Sequence, residues 1–326
     1  CLQGINFQNA YKNESCAVIG PNIKAKIADD FRQRAETLTQ LNLYDEIILF
    51  FEHDLYDQLQ LAEICHRLLE YPAQLPPISI ICINNHHEIP YFHGLGQLSI
   101  RMLEALYDAH KHKLSNLQLK AGQAVWHSLV ASDPIKLSKM AQEPVLGWPF
   151  MQSALQRFCR EYPAKETGLT LTQTYLLMTL LKAPDELPAL EHHLNGLEQN
   201  GQLKGSASAS QRYYEILMGP ATFRRIFHHL QQLEQAPFMG DLSVKSELQQ
   251  LIMASVPYVS GTEVKRQDGS TETEFSLTHE GAEALQGLRH WLDGNNYNFW
   301  RGAVNITHEN AWEWCQPERV FVKRST

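Results

Sequence analysis

The chain has 326 residues, of which 44% are hydrophobic and 20% are charged, and its formal net charge is −8. These values predict a globular protein of about two or three domains with a sizeable core. The negative charge argues against general binding to nucleic-acid backbones or anionic lipid, and no apolar run approaches the roughly 18 residues that span a bilayer. The chain has six cysteines and no C-x-x-C pair, and six are too few for a disulfide framework at this length, which favours a reducing, cytoplasmic setting.

The composition predicts four regions along the chain. They are an α/β domain at 1–113, a helical region at 114–182, a linker or mobile loop at 183–222, and a winged-helix-like C-terminal region with a tryptophan-rich tail at 223–326. The predicted fold class is therefore α/β in the N-terminal part, with a small parallel sheet. A mainly helical part and an α+β part follow it.

The N-terminal part shows a strand–helix–strand pattern. An apolar run at 44–51 predicts a buried strand, and residues 54–71 carry apolar side chains at helical spacing. The run Ile78–Ile83 predicts a second strand. Two strands joined by a helix form a βαβ unit, in which the strands run parallel. Ser99 is the predicted N-cap of the next helix, Ile100–His110.

Beyond residue 115 the pattern is mainly helical. The predicted helices lie at 117–130, 149–162, 170–181, 223–233 and 243–253, the last capped by Asp241 or Ser243. A β-hairpin with a turn at Asp268-Gly269 follows, and Thr278 is predicted to cap a short final helix.

Helices followed by a hairpin resemble a winged-helix module, a type that often binds DNA. Acidic residues outnumber basic ones over residues 168–288, so we expect such a module to contact protein rather than DNA. The tail tryptophans are expected to form a compact core rather than a stacking platform for bases. They are Trp291, Trp300, Trp312 and Trp314.

The first candidate site follows the first strand directly. Glu52, His53 and Asp54 lie there, with Asp57 three residues further on, and ligands of parallel α/β sheets bind beyond the carboxyl ends of the strands. Glu52 and His53 together suit general acid–base chemistry, because a carboxylate orients an imidazole and raises its basicity. Asp54 and Asp57 have a simpler explanation, since they suit the cap and first turn of the next helix.

A second polar group follows the second strand and is therefore expected beside the first. It contains Asn84, Asn85 and His86, followed by His87. Adjacent histidines in an extended loop are expected to point to opposite sides, so a shared metal is not predicted and no residue is assigned as a metal ligand. The nearby Gly94-Leu95-Gly96 lacks the third glycine of a dinucleotide fingerprint and is expected to form a tight turn.

These residues also support a family resemblance. The chain resembles the DUF1835 family of uncharacterised bacterial proteins. The matching pieces include Phe51-Glu52-His53-Asp54-Leu55-Tyr56-Asp57, Gly94-Leu95-Gly96-Gln97-Leu98, Trp148-Pro149-Phe150, Pro237-Phe238-Met239-Gly240-Asp241 and Trp312-Glu313-Trp314. The resemblance implies a fold and a site location, but no established reaction. Members of this family usually open with a strand. If Gly20-Pro21 matches the later Gly-Pro of the family, that strand would precede Cys1.

Two functional hypotheses follow from the sequence. In the first, the strand ends bind a small phosphorylated or nucleotide-like ligand. Glu52 and His53 act on it, and the ligand-binding residues are Asp54, Asp57, Asn84, Asn85 and His86. In the second, the protein is a non-catalytic regulator or adaptor that contacts a protein partner through the winged-helix-like module. Neither hypothesis identifies a cofactor, and neither involves nucleic acid or a membrane.

Overall fold

The computed structural model describes residues 21–181, 221–266 and 268–324. The predicted linker at 183–222 lies outside the described residues, except for Ala221 and Thr222. The chain divides into two compact units. Unit 1 comprises residues 1–156 and 299–305, and unit 2 comprises residues 157–298 and 306–326.

Unit 1 contains a three-stranded sheet. Strands β1 (Ile47–Glu52) and β2 (Ile78–Ile83) pair in parallel, and Glu52 lies opposite Ile83. This pairing confirms the predicted βαβ unit. A short third strand, β3 (His112–Lys113), pairs antiparallel with β2. The small sheet predicted as parallel is therefore mixed: its β1–β2 pair is parallel, and β3 was not predicted because a two-residue strand leaves no hydrophobic period in the sequence.

The helices of this part of the chain are, in order, α1 (Pro21–Leu38), α2 (Leu55–Leu69), α3 (Ile100–His110), α4 (Asn116–Leu129), α5 (Ile135–Met140) and α6 (Met151–Cys159). Helix α2 contacts β1, and α3 contacts β2. Ser99 caps α3, as predicted, and Asp54 caps α2, accepting a hydrogen bond from the backbone N–H of Asp57. The six-residue α5 was not predicted, since it is too short for a helical period.

One hydrophobic cluster of unit 1 forms where β2 meets α3. Ile81, Ile83 and Leu106 are buried there, and Phe92 and Leu95 of the intervening loop pack against them. Strand β1 is only partly buried, and Phe50 is 41% exposed. The expectation that β1 is a buried strand was therefore wrong. Among the described residues β1 is paired only with β2, so it lies at the edge of the sheet.

Unit 2 contains three contacting helices followed by a hairpin. The helices are α7 (Leu171–Met178), α8 (Phe223–Leu233) and α9 (Asp241–Met253). Strands β4 (Val259–Lys265) and β5 (Thr271–Leu277) form the predicted hairpin, and α10 (His279–Leu285) follows with Thr278 as its cap. Helix α9 begins earlier than predicted, and Gly240 occupies its N-cap position in place of Asp241 or Ser243.

The tail consists of short strands: β6 (Asn298–Arg301), β7 (Val304–Thr307), β8 (Trp312–Cys315) and β9 (Val320–Lys323). Trp314 and Phe321 pack against each other across β8 and β9, with ring centroids 4.9 Å apart, and Trp314 is buried. Trp291 is also buried, against Tyr258. Trp300 is 37% exposed, so only part of the tryptophan set forms the expected core. No helix among the described residues is long and apolar enough to cross a membrane.

Candidate functional site

Glu52 is the last residue of β1, and its side chain holds the loop that follows β2. Its Oε1 accepts a hydrogen bond of 2.6 Å from the backbone N–H of Leu95, 43 residues away. A Cβ atom at Gly94 would collide with the Glu52 carboxylate. Leu95 opens a short 3-10 turn that ends at Gln97, which confirms the tight turn expected at Gly94-Leu95-Gly96. The Glu52 carboxylate therefore holds the loop before α3 in place, and the missing side chain of Gly94 leaves room for the carboxylate.

The backbone of Glu52 is held by the start of α2. Asp57 Oδ2 accepts a hydrogen bond of 2.5 Å from the Glu52 N–H, and Gln58 Nε2 donates to the Glu52 carbonyl oxygen at 2.7 Å. Asp54 Oδ1 accepts from the Asp57 N–H at 3.0 Å, which confirms the predicted cap. The three carboxylates thus converge on one strand-to-helix turn, where backbone N–H groups satisfy part of their hydrogen-bonding capacity.

Burial makes this turn electrostatically unusual. It raises the pKa of Asp54 to about 6 and raises the pKa of Glu52 and of Asp57 above their ordinary values. The charge of Asp57 adds to the shift at both neighbours, and the hydrogen bonds from backbone N–H groups oppose it. Desolvation disfavours the ionised form of a carboxyl group, and neighbouring like charges disfavour it further. A proton is therefore more readily held here than on an ordinary carboxylate.

His53 lies beside these carboxylates, half-buried between two aromatic rings. Its ring centroid is 6.5 Å from that of Phe92, nearly parallel to it, and 5.9 Å from that of Phe150, edge-on. Phe92 belongs to the loop between β2 and α3, and Phe150 directly precedes α6. The rings cover part of the imidazole and restrict its orientation.

The second polar group is arranged around its own turn. Asn84 follows Ile83, and Ile83 is paired with Glu52. Asn84 therefore lies with Glu52 at the carboxyl ends of the two parallel strands. Asn85 Nδ2 donates to Asn84 Oδ1 at 2.7 Å. His86 is buried, and its Nδ1 accepts from the Glu88 N–H. The rings of His86 and His87 stack with centroids 4.7 Å apart, so the expectation that they point to opposite sides was wrong.

The carboxylates at these strand ends do not belong to a three-ligand metal-binding group among the described residues. Among the described residues, one group of three metal-binding side chains has its ligand atoms close together, and it lies on α2 and α4. The strand-end residues instead provide carboxylates, the side-chain amides of Asn84 and Asn85, and the imidazoles of His53 and His86. A depression of about 260 Å³ lies on the segment that contains Phe150, lined by Pro144, Val145, Gly147, Trp148, Pro149 and Gln152.

No protein-family model, curated protein or solved structure matches this chain. The resemblance to the DUF1835 family therefore stays a prediction.

Sequence reasoning identified the carboxylates but not the residues around them. Leu95, Phe92 and Phe150 reach the site through the packing of the loop and of the segment before α6. Gly94 was the one available signal for this contact, because a glycine in the loop before a helix can mark a place where another group packs closely against the backbone. Nothing in the sequence connects that glycine to Glu52.

Proposed function

We propose that unit 1 binds a small polar ligand at the carboxyl ends of β1 and β2, in contact with Glu52 and His53. The observation that carries the proposal is the convergence of three carboxyl groups with raised pKa values beside a half-buried imidazole. Groups perturbed in this way cluster at functional sites, and this edge of a parallel pair is where α/β proteins bind ligands. Helix capping explains the presence of Asp54, and the hydrogen bond to the Leu95 N–H explains one oxygen of Glu52. Neither role requires His53.

The charge of the site constrains which part of the ligand faces it. Carboxylates accept hydrogen bonds from hydroxyl or amine groups and repel phosphate. Glu52 Oε1 binds the Leu95 N–H, and a carboxylate has further acceptor positions on its other oxygen. A nucleoside-like ligand therefore fits with its ribose hydroxyls toward Glu52, an interaction that acidic residues make in other nucleotide-binding α/β folds. A phosphate group belongs on the side of Asn84 and Asn85, whose amides donate.

Catalysis at the same site would use the raised pKa values. A general acid or base works best when its pKa lies near the working pH, and burial moves these carboxyl groups in that direction. In this proposal Glu52 and His53 exchange a proton with the bound ligand. Asp54 and Asp57 keep the turn in place.

The test is a thermal-shift screen of the full chain against nucleosides, nucleotides and amines, with and without Mg²⁺. The informative variants are Glu52→Gln and His53→Ala. Gln retains an oxygen that accepts from the Leu95 N–H, so Glu52→Gln removes the charge without releasing the loop. Glu46→Gln is the matched control, because Glu46 precedes the opposite end of β1 and bonds to Ser79 and Lys111.

We expect a ligand that raises the melting temperature of the wild type and of Glu46→Gln. That shift should be lost in Glu52→Gln and in His53→Ala. A ligand that stabilises all four proteins equally binds elsewhere, and this result would contradict the proposal. So would the absence of any shift across the screen.

A second candidate function is supported by one backbone contact in unit 2. Thr222, just before α8, forms an isolated antiparallel bridge with Glu274 of β5, and the Phe275 N–H donates to the Ala221 carbonyl at 3.0 Å. A short strand between the first two helices that joins the hairpin is the arrangement of a winged-helix module. We propose that this module contacts a protein partner in a regulatory or adaptor role.

The exposed face of α9 is the proposed contact surface. Leu242 and Met253 lie eleven residues apart on one side of this helix and are 74% and 72% exposed. Lys245 of the same helix pairs with Asp241, so the helix offers no excess positive charge to phosphate. Capture of a partner by the wild type, lost in Leu242→Lys and Met253→Lys but retained in Leu288→Lys, supports this role. Leu288 is equally exposed but lies outside α9. Equal capture by all variants would exclude it.

A further inference from the structure

Three potential metal ligands converge where α2 packs against α4. His66 lies in the last turn of α2, and Glu70, the C-cap of that helix, follows four residues later. His66 Nε2 is 3.5 Å from Glu70 Oε2. His127, in the last turn of α4, brings its ring centroid to 5.3 Å from that of His66. One ligand atom from each of the three side chains lies within 4.8 Å of the others.

Helices α2 and α4 approach each other closely at Cys65 and Gly122. A Cβ atom at Gly122 of α4 would lie 2.6 Å from Cys65 Sγ of α2, so only a glycine permits this approach. Cys65 is buried and directly precedes His66. The backbones that carry His66 and His127 are therefore held close together by the packing of the two helices.

Neighbouring side chains orient the His66 ring. Trp126 stacks on it, with centroids 6.2 Å apart and an interplanar angle of 26°. Gln123 Nε2 lies 3.4 Å from Nδ1, so in this orientation the amide donates to the ring. An amide turned by 180° presents its oxygen instead, and that oxygen accepts a proton carried on Nδ1. Nε2, the atom that faces Glu70, then keeps its lone pair. Metal-binding histidines are usually oriented by such a hydrogen bond at the other ring nitrogen.

We propose that His66, Glu70 and His127 bind a divalent transition-metal ion, with Zn²⁺ as the best-suited cation. Two imidazoles and one carboxylate form a ligand set that zinc accepts in tetrahedral geometry, with water in the fourth position. Ligand atoms in such a site lie about 3.3 Å apart, given bonds of about 2.0 Å. Glu70 and His127 are exposed, so small side-chain rotations close the remaining distance. Imidazole ligands favour Zn²⁺ over Mg²⁺ and Ca²⁺.

This site is separate from the strand-end site. Asp54 caps one end of α2 and His66 lies near the other, about 18 Å away along the helix axis at 1.5 Å per residue. The metal would join α2 to α4 and stabilise unit 1, because an ion that binds only the folded protein favours folding. The proposal does not depend on any ligand at Glu52 and His53.

The test is calorimetric titration of ZnCl₂ into the tag-free, EDTA-treated full chain at pH 7.5. We expect one ion per chain and a higher melting temperature with Zn²⁺. His66→Gln and His127→Gln should each weaken binding by at least about tenfold, the loss that even a change outside the direct ligands typically causes. His279→Gln is the matched control. His279 forms a similar i,i+4 pair with Glu283, at 3.3 Å, but does not belong to a three-ligand group among the described residues.

Fluorescence gives a second readout that does not depend on stability. Cu²⁺ bound at this site should quench Trp126, and the quenching should be lost in His66→Gln and reduced in Trp126→Phe. Circular dichroism of each variant confirms that the fold is retained. Equal Zn²⁺ affinity in wild type, His66→Gln and His127→Gln would overturn the proposal, as would the absence of stoichiometric binding by the wild type.

Discussion

The Glu52 carboxylate accepts a hydrogen bond of 2.6 Å from the backbone N–H of Leu95 and thereby links the end of β1 to the loop before α3. Leu95 also packs against the core around Ile81 and Ile83. One side chain of the candidate site therefore contributes to the structure of unit 1. The effect of Glu52 on the stability of unit 1 must therefore be distinguished from its effect on ligand binding by comparing substitutions that keep or remove the hydrogen-bond acceptor.

Substitution of Glu52 should affect stability according to whether an acceptor remains. Glu52→Ala leaves the partly buried Leu95 N–H without its partner, and we expect the free energy of unfolding to fall by about 1–3 kcal/mol. Glu52→Gln retains an acceptor and removes a charge that neighbouring carboxylates repel, so we expect a smaller loss. Urea denaturation measures both. Glu88→Ala, which breaks an exposed pair with Arg101, should cost at most about 1 kcal/mol. Equal losses in Glu52→Ala and Glu52→Gln would contradict this account.

Asp54→Asn should change how stability depends on pH. Burial raises the pKa of Asp54 from 3.8 to about 6, so the folded protein binds this proton more tightly than the unfolded chain does. Between these two values a rise in pH therefore destabilises the fold through Asp54, and the penalty is complete above pH 6. Asn remains a good N-cap but carries no charge.

The measurement for Asp54→Asn is the melting temperature of variant and wild type from pH 4 to pH 7.5. The variant should be the more stable protein above pH 6, and its advantage should shrink as the pH falls toward 4. Taking the difference between the two proteins removes the contribution of titrating groups that do not interact with Asp54. An advantage that grows at low pH would show that Asp54 is stabilised in its ionised form.

Gly94→Ala should be destabilising because of Glu52. The added methyl group collides with the Glu52 carboxylate, and overpacking of this kind costs about 1–3 kcal/mol. In a Glu52→Ala background the same substitution meets a shorter side chain and should cost less. A double-mutant cycle in urea isolates this coupling. Gly96→Ala is the control, since no atom lies within 4 Å of a Cβ atom there. Additive effects would show that Gly94 is needed for another reason.

Arg157 should be a major contributor to the stability of unit 2. Its guanidinium pairs with Glu161 at 2.6 Å and with Glu234 at 2.5 Å, and all three side chains are largely buried. Arg157→Ala leaves two buried carboxylates without this partner, which typically costs about 3–5 kcal/mol. Arg101→Ala, which removes an exposed arginine, should cost at most about 1 kcal/mol. Similar unfolding midpoints for the two variants would contradict the prediction.

The local elements of this protein are determined by the sequence alone. The strand β2, the caps at Asp54 and Ser99, and the hairpin of β4 and β5 were predicted within a few residues. Each depends on side chains close together in the chain, such as an N-cap oxygen and the N–H groups of the following turn. Hydrophobic periodicity is also a local property, and it identified α2 and α4. The charged turn after β1 was visible for the same reason.

Only the tertiary structure decided which of these elements meet. The contact of Glu52 with Leu95, the packing of His53 against Phe150, and the approach of His66 to His127 depend on strand register and helix packing. The partial exposure of β1 and the antiparallel β3 likewise depend on what covers or extends the sheet. Local sequence specifies the conformation of a segment. The partners that a side chain meets depend on burying apolar surface and pairing backbone groups over the whole chain.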